Sequence, residues 1–144
     1  MVAGKKGVDL TLASANEKKF APVIAAMETK HGIPAGMLHR LIKAESAFRS
    51  DIINGVKRSS VGAVGIAQFM PATAKELGLN PLDPLASIDA AGRYLAILYK
   101  QTKNWDAAVA AYNWGIGNVL KKGLAKAPAE TIAYVRKITG GTIA

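Results

Sequence analysis

Residues 34–48 read PAGMLHRLIKAESAF, with Leu38, Leu41, Ile42 and Glu45 at i, i+3, i+4 and i+7. That spacing puts four side chains on one face of an α-helix, because seven residues at 3.6 per turn bring Glu45 back over Leu38. The stretch predicts a helix that opens at Pro34, a favoured first-turn residue, and runs to about Phe48. Its apolar stripe ends in a carboxylate. Burial disfavours the charged form of a carboxyl group and raises its pKa. A Glu pushed toward about 6 holds a proton at neutral pH and can give it to a leaving oxygen. A Glu at the edge of a stripe can also reach out to solvent or a lysine, and position alone favours that plainer role.

The helical period continues on both sides. Ser14-Ala15-Asn16-Glu17 reads as a capping box opening a first helix, with Phe20, Val23, Ile24 and Met27 inward and Gly32 at its end. Residues 1–13 are expected to be a loose segment. A loop follows Phe48 to Gly65, in which Asn54-Gly55, between Ile52-Ile53 and Val56, suggests a tight hairpin. Short helices are expected over 65–78. Asp83-Pro84 should cap the longest helix, with Leu85, Ile88, Leu95 and Leu98 inward. Asn104 should cap another, through Ala107 to Trp114 and ending at Gly115. A last helix begins near Pro128 and ends at Gly140-Gly141. The fold class is mainly α: one domain over 1–144, six or more helices, at most one small β-hairpin. No alternation of strands and helices appears, which argues against a doubly wound sheet.

The chain's 144 residues fit one domain. There is no cysteine, so disulfides and thiolate metal sites are excluded. His31 and His39 have no partners at ligand spacing, and neither a metal nor a cofactor is expected. No apolar run reaches the roughly 18 residues of a membrane-spanning helix, and residues 1–14 lack the apolar core of a signal peptide. Nineteen Lys and Arg against ten Asp and Glu give a formal charge of +9. Such a field attracts nucleic acid, anionic membrane or the acidic polymers of a cell wall. No motif for reading nucleic acid is present, so no specific nucleic-acid partner is expected.

Of the remaining carboxylates, Glu17 belongs to the expected capping box, Asp83 to a helix cap and Asp106 to a first turn. Asp9 falls in the segment expected to be loose, and Glu28, Glu76 and Asp89 read as helix-surface charges. Asp51 and Glu130 read as loop and first-turn charges, and are the two that could supply a second carboxylate.

Four short blocks give Glu45 a context. Glu45-Ser46 closes an apolar helix, and Gly65-Ile66-Ala67-Gln68-Phe69-Met70-Pro71 follows with Ala72-Thr73-Ala74. Ala111-Tyr112-Asn113-Trp114-Gly115 and Glu130-Thr131-Ile132-Ala133-Tyr134-Val135 come next. In this order, over about Val23 to Ile138, the chain resembles the lytic transglycosylase catalytic domain of the soluble type, a branch of the lysozyme superfamily. The loop after Glu45 is a few residues longer than that family's pattern, with Arg49-Ser50 in place of the common Asn-Pro. Aligned backward from Gly62-Ala63, Ser59 takes the place of the family's substrate-facing serine, with Ser60 beside it.

The resemblance implies a lysozyme-like fold and cleavage of the bond between N-acetylmuramic acid and N-acetylglucosamine, with Glu45 as the single acid and base. It also implies a 1,6-anhydro product rather than the usual two-carboxylate hydrolysis. Ser59, Gln68, Met70, Tyr112, Asn113, Glu130 and Tyr134 become the expected substrate-binding residues. Gln68 can donate and accept, and Gly65 would let its backbone come close to a sugar. The Tyr112 hydroxyl could reach Glu45 or an N-acetyl group. Glu130 and Tyr134 border the cleft on the family reading, whereas plain packing would put Tyr134 in the core. Trp105 and Trp114 could be sugar platforms but read as core. The partners implied are peptidoglycan glycan strands and an anionic wall or outer-membrane surface, met by a monomer. Rival readings are a goose-type lysozyme using Asp51 to position water, and a non-catalytic wall-binding module. The compact basic chain also resembles a phage endolysin or virion-carried enzyme, made in the host cytoplasm and released by a separate system.

Overall fold

The computed structural model describes the backbone of residues 2–140 and the side chains of residues 13–140. Among these residues there are eight α-helices: α1 (Val2–His31), α2 (Met37–Ser46), α3 (Ser50–Ile53), α4 (Pro71–Glu76), α5 (Pro84–Thr102), α6 (Trp105–Trp114), α7 (Ile116–Lys122) and α8 (Ala129–Thr139). A 3₁₀ turn, Leu124–Lys126, joins the last two. The mainly α class holds.

The core forms where the apolar stripes meet. α2 contributes Met37, Leu38, Leu41 and Ile42, and α1 contributes Phe20 and Ile24, all buried. α6 is buried over five successive residues, Ala107 to Ala111. A helix apolar on all sides belongs inside, and its small alanines let it lie between α5 and α8. α5 begins as expected: Asp83 Oδ1 accepts from Ala86 N–H at 3.1 Å. Asn104 Oδ1 caps α6 by accepting from Ala107 N–H at 2.9 Å.

Several local expectations are corrected. Ser14–Glu17 lies inside α1, so no capping box forms there. The backbone of residues 2–13, expected to be loose, continues the same helix, which also carries Pro22 within its span. The side chain of Asp9 lies outside the described residues. α1 rather than α5 is thus the longest helix. α2 starts at Met37 instead of Pro34, because Gly36 takes a left-handed φ of 84° just before it. No hairpin forms at Asn54-Gly55, since Ile52 and Ile53 complete α3 and Asn54 N–H bonds back to Ser50 O. The single β-bridge among the described residues joins Val64 and Phe69. It takes residues 65–70 out of the helical span expected there. Leu85, in the first turn of α5, is exposed rather than inward. α7, rich in glycine on both sides, carried no signal strong enough to expect it.

Glu28 differs most from its expected surface role. It is 6% exposed, and its two carboxylate oxygens accept from the backbone N–H of Gly36 (2.9 Å) and His39 (3.2 Å). These are donors at the start of α2 that no helical carbonyl can reach. A side chain of α1 therefore caps α2 and sets its angle. His31 and His39 have ordinary partners, Asp89 at 2.7 Å and Glu17 at 2.7 Å.

Candidate active site

α2 must end abruptly for Glu45 to face open space. Ser46 Oγ, fully buried, donates to Ile42 O at 3.2 Å and accepts from Phe48 N–H at 3.3 Å. Ala47 and Phe48 then take left-handed φ values of 51° and 57°. Such values are disfavoured for residues other than glycine and need support from around them. Burial of the Phe48 ring and a 2.8 Å bond from Asn16 Nδ2 to Phe48 O supply it. The Glu-Ser pair thus combines an acid with the residue that stops its helix.

Opposite Glu45 the chain makes the bridged turn of Val64 to Phe69. Gly65 (φ 84°) and Gln68 (φ 53°) carry its left-handed positions. Gly65 O accepts from both the N–H of Gln68 (3.1 Å) and its side-chain Nε2 (2.9 Å), which holds the Gln68 side chain in place. Glycine is needed at 65 for its φ and because a β-carbon would collide with Pro81 O. That requirement comes from internal packing against the chain at Pro81. The Tyr112 ring packs with Phe69 and Tyr94, at centroid distances of 5.9 and 5.6 Å. Its hydroxyl donates to Ala67 O at 2.9 Å rather than to Glu45.

A cleft of about 480 Å³ lies between these elements. Glu45, Ser59, Gln68, Met70, Tyr112, Asn113 and Glu130 all line it, so seven of the eight expected site residues share one cavity. Ser60 lines it too. Ser59 Oγ accepts from Ala63 N–H at 2.9 Å and shapes the wall. Met70 is exposed at the cleft rather than packed in the core. Trp114, expected in the core, lines the cleft, whereas Trp105 stacks on Tyr99 at 4.0 Å. Val61, Ala63, Pro128 and Thr131 complete the lining and had not been assigned to it. Of these, Thr131 had a signal in the sequence, its place beside Glu130 in the fourth block.

Tyr134 does not line the cavity. It stands behind Glu45 and donates its hydroxyl to Glu45 Oε2 at 2.6 Å. Neither expected position for it, cleft border or plain core, included this bond. Burial raises the Glu45 pKa from 4.5 to about 7; the Tyr134 hydrogen bond opposes that rise and the Glu130 charge adds to it. Burial also holds the Tyr134 hydroxyl well above its usual range, so it stays a donor. At neutral pH a large fraction of Glu45 carries a proton, facing a polar cleft. Asp51 is elsewhere engaged: Arg49 Nε and Nη2 clasp its two oxygens at 3.2 and 2.7 Å and hold its pKa low, and it does not line the cleft.

The site is thus one protonatable acid, Glu45, lining a polar cleft in a helical domain, and comparison with known proteins places that domain in a family. The family described as Transglycosylase SLT domain matches residues 22–135. Membrane-bound lytic murein transglycosylase C of Glaesserella parasuis serovar 5 is 28% identical, covering 72% of this chain and 33% of its own. The protein of the same name from Actinobacillus pleuropneumoniae serotype 5b is 29% identical with the same coverage. An X-ray structure of an inactive Glu-to-Gln mutant of lytic transglycosylase Slt from Pseudomonas aeruginosa superposes with a TM-score of 0.69 at 28% identity. It covers 82% of this chain and 22% of that one. The chain belongs to the Transglycosylase SLT domain family, and spans about a third of the length of the curated relatives. No helix among the described residues is long and apolar enough to cross a membrane.

Proposed function

We propose that this domain is a peptidoglycan lytic transglycosylase that cleaves the β-1,4 bond from N-acetylmuramic acid to N-acetylglucosamine, with Glu45 as its single acid and base. The observation that carries the reading is a Glu raised to about 7 in a cleft whose other carboxylate, Glu130, is exposed. Protonated Glu45 gives its proton to the glycosidic oxygen as the bond to the muramoyl C1 breaks. The muramoyl N-acetyl carbonyl stabilises the cation. The C6 hydroxyl of the same sugar then bonds to C1 and returns its proton to Glu45. A nucleophile already on the substrate avoids the entropy of capturing water. Gln68, Asn113, Tyr112, Ser59 or Ser60, Met70 and Glu130 hold the glycan, while Tyr134 tunes and orients the acid. The clasped Asp51 disfavours a goose-type hydrolysis that would use it to position water.

The +9 charge suits an enzyme that captures an anionic wall by its own surface, as a phage endolysin or virion-carried enzyme must. Glu45→Gln is the test of the chemistry. The purified variant should clear a cell-wall suspension at no more than a few percent of the wild-type rate. Mass spectrometry of wild-type products should find 1,6-anhydro ends, lighter by one water than the reducing ends that hydrolysis leaves. Reducing ends would overturn the mechanism, and an active Glu45→Gln would overturn the acid.

A further inference from the structure

Thr131, in the first turn of α8, is 2% exposed, and its Oγ1 donates to Asn113 Oδ1 at 2.8 Å. Among the described residues neither side chain makes another hydrogen bond. A threonine hydroxyl in a helix commonly donates to a carbonyl one turn back. Here the hydroxyl reaches across to α6 instead. An Asn carries an acceptor oxygen on one side and two N–H donors on the other. With its oxygen held by Thr131, Asn113 turns its donors away from α8. Asn113 is an exposed residue of the cleft lining, so those donors meet whatever fills the cleft.

We propose that Thr131 is a positioning residue that fixes Asn113 as a donor, so that Asn113 binds an acceptor oxygen of the glycan that carries no proton. The chemical class is a carbonyl or carboxylate oxygen borne by an amino sugar, as opposed to a hydroxyl that must donate. This rests on the glycan-cleaving reading of the same cleft. Without the Thr131 hydroxyl the amide can rotate and present either end, and the substrate then has to select the right one. That loss falls on substrate capture and alignment, not on the proton of Glu45.

Initial rates of muropeptide release from purified sacculi, with Thr131→Val, Thr131→Ser and Asn113→Asp, test it. Thr131→Val keeps the shape and should lower kcat/KM about tenfold, the effect of one aligned hydrogen bond. Its pH profile should stay in place. Thr131→Ser should recover the rate to within about twofold. In an Asn113→Ala background, Thr131→Val should cause no further loss, whereas a purely structural threonine would cost the same in both. Asn113→Asp, which presents an acceptor where a donor is needed, should lose at least as much as Asn113→Ala, and this variant serves if Thr131→Val melts below the assay temperature. A folded Thr131→Val with wild-type kcat/KM would overturn the role, as would an equal loss in both backgrounds or an active Asn113→Asp. Glu45→Gln, assayed alongside, separates the failures. An active Glu45→Gln removes the reaction itself, while an inactive Glu45→Gln beside an unaffected Thr131→Val removes only the positioning.

Discussion

Tyr134, on α8, donates its hydroxyl to Glu45 Oε2 on α2 at 2.6 Å, joining two residues 89 apart in sequence. The bond favours the ionised carboxylate and so works against the burial that raises its pKa. Tyr134→Phe should therefore raise the Glu45 pKa further. The acid must be protonated to act, so the alkaline limb of the pH–rate profile should move to higher pH, by up to about one unit. A limb that stays put, or moves down, would mean the hydroxyl does not govern this ionisation.

Glu130 acts in the opposite sense. Its charge across the cleft helps to keep Glu45 protonated. Glu130→Gln should lower the Glu45 pKa and bring the alkaline limb down by a fraction of a unit, and the shift should shrink at about 1 M salt, where screening lengths fall to about 3 Å. The comparison with Tyr134→Phe is internal: two neighbours of one acid, displaced in opposite directions. Profiles that move the same way would exclude this account of the cleft's electrostatics.

Glu28 should behave as a structural acid. Glu28→Gln replaces one acceptor oxygen with an NH2 group aimed at a backbone N–H of α2. Leaving a buried donor without its acceptor costs roughly 1–3 kcal/mol, so urea melts should show a loss of that size. The pH–rate profile of the folded variant should keep its wild-type shape. An unchanged melt would show that the α2 cap carries no stability.

The stripe on α2 made Glu45 legible, since periodicity reports which face is buried. The same rule applied to α1 would have found Glu28, which lies four residues after Ile24 and eight after Phe20 on one face. It was read as a surface charge because nothing local distinguishes a buried carboxylate that caps another helix. The partner of Glu45 could not be read from spacing at all, because Tyr134 meets it only once α2 packs on α8. Tyr112 was the more obvious candidate from its block, yet its hydroxyl goes to Ala67 O. Composition of the cleft was therefore legible, and its hydrogen-bond connectivity was not. Turns were misread where a left-handed residue breaks a helical pattern, as Gly36 does for α2 and Gln68 does after Gly65.

The +9 charge gives a prediction about substrate capture. Rates on insoluble peptidoglycan should fall steadily as salt rises, because the screening length shrinks from about 10 Å at 0.1 M to about 3 Å at 1 M. The effect should appear in apparent KM more than in kcat, since the charge acts on encounter and not on proton transfer. A flat profile would assign the basic surface another purpose.

Glu45→Gln also has a consequence for stability, independent of family membership. An ordinary Glu in the unfolded chain ionises near 4.5, whereas folded Glu45 does so near 7. Between those values the folded state binds more protons, so wild-type stability falls as pH rises through this window and levels off above it. Below about 4.5 the group is neutral in both states and the penalty vanishes. At about 1.4 kcal/mol per pKa unit the full penalty is at most roughly 3–4 kcal/mol, and residual solvation of the cleft makes it smaller. Glutamine is neutral throughout and still offers Tyr134 an acceptor oxygen. The variant should thus melt at a higher temperature than wild type at pH 8, with the two curves converging toward pH 4. Thermal melts across that range would show it. A variant clearly less stable at pH 8 would indicate a Glu45 stabilised as a carboxylate, and the buried-acid origin of its reactivity would fall.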